Sequence, residues 1–87
     1  MPQFEYDPKK SQRNLVKHDI DFEVAQALWD DLYRVEIQAR STTELRFLVI
    51  GKVQGKHWAA IITYRGQTIR IISVRRARDN EVSLYES

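Results

Sequence analysis

The chain has 87 residues, 43% of them hydrophobic and 30% charged, with a formal net charge of +2 and no cysteine. Residues 1–87 supply one modest core and leave no room for a second, so a single domain is expected, outside the disordered and fibrous classes. Disulfides and thiolate metal sites are excluded, and the two histidines, His18 and His57, lack the spacing of a zinc motif, so no metal or cofactor is expected.

In chain order, Gln3 to Tyr6 alternates enough for a short first strand, and Asp7-Pro8 ends it and can open a helix. A helix is expected from Lys9 to about His18, with only Leu15 and Val16 as apolar content, so it should lie on the surface. Asp19-Ile20-Asp21 breaks it. Asp21 is a good N-cap for a second helix that carries Phe22, Ala25 and Leu28 at spacing three. Arg34 to Ala39 has the period-two pattern of a half-buried strand, and Ser41 to Glu44 reads as a loop. Arg46 to Val53 and Lys56 to Tyr64 flank Gln54-Gly55, a tight hairpin signal; Arg65-Gly66-Gln67 makes the next turn into a β-branched strand from Thr68 to Arg76. Ala77 to Tyr85 reads as a short helix or an irregular tail. The class expected is α+β, an N-terminal strand and two helices packed on a twisted, mainly antiparallel meander sheet. Strict alternation along the last strand would put Arg70 and Arg76 on the face opposite Arg75.

Charge is divided along the chain. Residues 1–33 carry four bases against seven acids, a net of −3, whereas residues 34–78 carry ten bases against Glu36 and Glu44, a net of +8. Such a field draws a polyanion, and arginine suits phosphate because its planar fork donates two hydrogen bonds to one anion and stays charged. A nucleic-acid partner is the first expectation, with a solvated sheet rim as the bland alternative. Met1 to Glu5 lacks the basic-then-apolar order of a signal peptide, and no apolar run approaches membrane-spanning length, so the cytoplasm is expected and no membrane partner.

Several stretches carry a resemblance. Phe4-Glu5-Tyr6-Asp7-Pro8-Lys9, Asn14 to Ala25 with Lys17-His18, Ile50-Gly51, and Arg70-Ile71-Ile72-Ser73-Val74-Arg75-Arg76-Ala77 with Glu81 and Tyr85 resemble the BrnT family of toxins. Tyr6-Asp7 stands where that family has Trp-Asp, His18-Asp19 where it has His-Gly, and Glu81-Val82 where it has Glu-Arg. The resemblance implies a RelE-like ribonuclease, the toxin of a type II toxin-antitoxin pair. It also implies a ribbon-helix-helix antitoxin that neutralises the toxin and binds operator DNA; a dimeric repressor would recruit two toxin chains, giving two of each in the complex. A catalytically weak or inactive module binding RNA or antitoxin through the same fold is the alternative, motivated by the Glu81-Val82 departure.

RNA cleavage without a metal needs a base for the 2′-hydroxyl proton, cations for the phosphorane-like charge and an acid for the departing 5′-oxygen. Arg65 and Arg75 are the expected phosphate clamps, converging on one anion, with Lys17, Arg46, Lys52, Arg70 and Arg76 as RNA contacts. His18 is the expected acid-base group, an imidazole being the side chain that changes charge near neutrality; its position also suits a cap on the last carbonyls of its helix. Asn14, one turn earlier, can orient His18 or bond a phosphate. By the resemblance Tyr85 shares in proton transfer, or it packs on the sheet edge. His57 reads as exposed, and Trp29 and Trp58 as core or interface residues.

Overall fold

The computed structural model describes residues 2–87. The elements are β1 (Gln3–Glu5), α1 (Pro8–His18), α2 (Phe22–Ala25), a 3-10 segment (Gln26–Asp30), β2 (Val35–Ala39), β3 (Arg46–Val53), β4 (Lys56–Arg65), β5 (Thr68–Arg76) and α3 (Asp79–Glu86). The class is α+β. One sheet runs β1-β5-β4-β3-β2; β2 to β5 form the expected antiparallel meander, and β1 joins β5 in parallel. Among the described residues no helix is long and apolar enough to cross a membrane.

Capping sets the helix boundaries. The Asp7 carboxylate accepts from Lys9 N at 2.9 Å, with Pro8 in the first turn where its missing N–H costs nothing. α1 ends at Asp19, whose φ of 64° is left-handed and whose N–H bonds Leu15 O at 2.9 Å, so this aspartate fills a role usually given to glycine. Asp21 caps α2 through Val24 N at 2.8 Å. The second helix stops sooner than its apolar spacing suggests: after Ala25 the chain tightens into the 3-10 segment and drops the fully buried Leu28 onto β3. A side chain at Gly51 would place a Cβ 3.0 Å from Leu28 Cδ2, which explains the glycine there. The β3–β4 hairpin turns through Gln54 and Gly55, both at positive φ.

The helices do not all pack on one face. α2 and the 3-10 segment cover the face on which Phe22, Leu28, Val49, Ala60, Ile62, Ile71 and Val74 form the main core. α1 instead lies along the edge of β5. The Asn14 amide donates to Val74 O at 2.9 Å and accepts from Val74 N at 3.1 Å, standing in for a neighbouring strand. α3 sits on the opposite face, where Ala77 and Tyr85 pack on Leu48, Ile50, Ala59 and Ile61.

A β-bulge changes which arginines are neighbours. Ile62 pairs with Ile71 but Ile61 pairs with Ser73, leaving Ile72 as the extra residue. Arg70 therefore stands opposite Thr63 and Arg75 opposite Ala59, and those two partners, four apart on one strand, share a face. The expectation that Arg70 and Arg75 point to opposite sides is corrected by that single inserted residue. Arg76, opposite Trp58, does lie on the other side, with its guanidinium 5.4 Å from the Trp58 ring centroid.

Candidate nucleic-acid interface

Register assigns the basic residues to faces. Lys52 pairs with His57 and Leu48 with Ile61, so even-numbered residues of β3 share a face with odd-numbered residues of β4. Arg46, Lys52, Arg65, Arg70 and Arg75 thus fall on one side of the sheet. They form two groups separated by the apolar band of Leu48, Ile50, Ala59 and Ile61.

The first group holds Arg46 on β3, Arg65 on β4 and Arg70 on β5, at the same end of the face. Glu5 is the counter-charge of two of them, 3.2 Å from Arg70 Nη1 and 3.9 Å from Arg65 Nε. Arg46 Nε is buried and has no acceptor among the described residues. Three guanidiniums against one carboxylate leave a net positive patch.

The second group lies at the other end, where α3 crosses the sheet. Arg75 Nη1 and Nη2 donate to Glu81 Oε1 and Oε2 at 2.7 and 2.8 Å, and Arg78 N adds a third bond to Glu81 at 2.8 Å. The Arg75 bonds outweigh burial and hold the Glu81 carboxyl below the usual range, and Glu81 in turn raises Arg75. The His57 ring meets Tyr85 edge-on at 5.2 Å, and His57 Nε2 lies 3.1 Å from Glu86. Tyr85 donates its hydroxyl to Asp31 at 2.6 Å, a bond that with burial pushes its pKa to about 12. Burial would raise Asp31, but the bonds from Tyr85 and from the N–H groups of Lys52 and Tyr33 prevail and lower it. Asp31 thereby pins α3 to the end of β3. His57, expected to be exposed, is half-buried beneath this helix.

The expected clamp pair does not meet. Arg65 and the partner of Arg75, Ala59, lie six residues apart on β4, roughly 20 Å at strand rise. Tyr85 and Arg75 both lie at the α3 end of the sheet, Tyr85 edge-on to His57 and Arg75 paired with Glu81. Asn14 neither orients His18 nor faces a ligand: its amide is spent on Val74 and, at 2.8 Å, on Ile20 O. His18 makes no side-chain hydrogen bond among the described residues, so the expected cap on the last carbonyls is not formed. Instead Lys17 and His18 border a cleft of about 300 Å³ between α1 and the bulged part of β5, with Lys10, Arg13, Asn14, Phe22, Ile72 and Ser73 as the remaining lining. His57 was missed in the sequence because only α3, which carries no long apolar period, brings a cover over it. Trp58 is buried and Trp29 packs half-buried against Phe4 at 5.0 Å, in keeping with core roles.

A family model described as "Ribonuclease toxin, BrnT, of type II toxin-antitoxin system" matches residues 6–81. No curated protein matches the chain.

Proposed function

The chain belongs to the BrnT family of type II toxin-antitoxin ribonuclease toxins, and on that premise we propose that it is a metal-independent endoribonuclease with its cleavage centre where β4, β5 and α3 meet. The observation that carries this reading is the gathering of His57, Lys52, Arg75 and Tyr85 at one end of the face that also bears Arg46, Arg65 and Arg70. An RNA strand running past that face meets cations at both ends, while α3 covers the apolar band between them, so the contacts are to the phosphate backbone.

In the reaction the 2′-oxygen forms a bond to phosphorus and the bond from phosphorus to the 5′-oxygen breaks, giving a 2′,3′-cyclic phosphate and a free 5′-hydroxyl. His57 takes the 2′-hydroxyl proton, and its protonated form returns one to the departing oxygen. Arg75 and Lys52 stabilise the charge that builds on the phosphoryl oxygens. Tyr85, its proton held by Asp31, stays neutral near pH 7 and positions the imidazole rather than acting as a base. Arg46, Arg65 and Arg70 hold the flanking backbone, and Arg76, on the opposite face, stands outside this track.

The remaining parts of the proposal are a RelE-like fold, residues 1–87 as one domain, a cytoplasmic setting and a ribbon-helix-helix antitoxin that neutralises the toxin. A dimeric antitoxin recruits two toxin chains and carries them to operator DNA, which supports a complex with two copies of each. A second reading, binding without cleavage, is favoured by one observation: the Arg75 fork is already occupied by Glu81. One experiment separates them. Purified protein is incubated with single-stranded RNA in EDTA, and fragment ends are analysed. Fragments ending in 2′,3′-cyclic phosphate support the enzyme; intact RNA in a salt-sensitive complex supports the binding module and overturns the enzyme.

A further inference from the structure

The cleft between α1 and β5 carries a feature the cleavage centre does not use. Lys10, Arg13 and Lys17 follow one another at spacings of three and four, which stacks them on one flank of α1. Asn14, among them, is clamped to Val74, so the flank is fixed against the strand edge. Ile72 and Ser73 line the cleft at the bulge, and His18 stands at its end. Ser73 pairs with Ile61, which places it on the face that bears Arg70 and Arg75. The cleft therefore runs along the edge of β5, between the arginine-bearing face on which Ser73 lies and the core face that Phe22 closes.

None of its cations is paired. Arg65, Arg70, Arg75 and His57 each have a carboxylate within 4.0 Å, whereas among the described residues Lys10, Arg13, Lys17 and His18, like Arg46 and Lys52 on the sheet face, have none. Unpaired cations keep their field for an incoming anion. The C-terminal half of α1 opposes an anion through its dipole, an effect that three neighbouring cations outweigh.

The geometry points to a phosphate-binding site in this cleft, formed by Lys10, Arg13 and Lys17 with the Ser73 hydroxyl, that grips the backbone of the RNA strand away from the cleavage centre. The identity of the ligand as RNA rests on the ribonuclease reading above; the phosphate chemistry does not. Charge alone would also accept an acidic protein segment, but the continuity with the arginine-bearing face favours RNA.

The test uses the full chain and a fluorescent, uncleavable 2′-O-methyl RNA oligomer, titrated at several salt concentrations. The variant Lys10→Gln, Arg13→Gln, Lys17→Gln alters only exposed side chains, and its fold is verified by unfolding in urea. Its expected behaviour is a dissociation constant raised roughly tenfold or more and a log–log salt slope shallower by about 2, as loss of three phosphate contacts to a single strand requires. Unchanged affinity and slope would overturn the site, as would unchanged RNA binding together with lost binding to polyglutamate. Wild-type protein that binds the oligomer through these residues yet fails to cut cleavable RNA would uphold the site and sink the nuclease reading. Wild-type protein that does not bind the oligomer would sink the site.

Discussion

Arg75 and Glu81 join the last strand to the last helix by two parallel hydrogen bonds of 2.7 and 2.8 Å. Glu81 is the more enclosed partner, its side chain 7% exposed against 26% for Arg75, so removing the arginine strands a carboxylate that water barely reaches. Arg75→Ala is expected to lower unfolding stability by about 2 kcal/mol and loosen α3, read as a lower urea midpoint at unchanged slope. Lost activity in that variant would therefore mix two effects. Arg75→Lys keeps the charge and one bond, so it should retain more stability than the alanine variant while losing bidentate phosphate contact.

The same pair sets an acid limit. Glu81 titrates lower in the folded chain than its ordinary value of 4.5, so the unfolded state takes up its proton first. Its contribution is complete above that value and is lost as pH falls through the depressed folded value. Asp31, lowered from 3.8, adds to the same loss at still lower pH. Thermal midpoints measured from pH 7 to pH 2 should fall below about pH 4.5 in the wild type. Glu81→Gln should start lower and fall less steeply; parallel curves would show that the pair does not govern acid stability.

Tyr85 should be among the last tyrosines to ionise. The chain has four tyrosines, and Tyr64, bonded to Glu36 at 2.8 Å, shares with Tyr85 a pKa pushed up to about 12. Rapid pH-jump ultraviolet titration should resolve two late tyrosines in the wild type and one in Tyr85→Phe. The variant should also lose about 1 kcal/mol of stability from the missing bond to Asp31.

Asn14 is expected to matter for folding rather than for chemistry. Its amide makes three hydrogen bonds at a buried position, two of them to the edge of β5. Asn14→Ala should cost on the order of 3 kcal/mol and speed hydrogen exchange at the Val74 amide, while the amides of β3 and β4 are slowed or hastened only by the global change.

Much of the fold was legible because local chemistry decided it. Asp7-Pro8, Asp19 and Asp21 marked the helix ends, Gln54-Gly55 marked a hairpin, and β-branched runs marked β3 to β5. The site was legible in its residue types but not in its grouping. Alternation separated Arg70 from Arg75 on paper, and the bulge at Ile72, which no residue announces, reunited them. Arg65 and Arg75 bracket one strand pair in sequence yet stand at its two ends in space. His57 gave no sign of its partners, since Tyr85 and Glu86 reach it only after α3 folds back across the sheet.

A cleavage centre built on His57 makes single-turnover cleavage of a short RNA in EDTA depend on that imidazole. The rates of wild type, His57→Gln and His18→Gln are compared. The expected result is a loss of at least about a hundredfold in His57→Gln, the scale of a missing general acid-base group, with His18→Gln retaining far more activity. Wild-type rates in His57→Gln together with an inert His18→Gln would contradict the account and move the chemistry to the α1 side of the sheet edge.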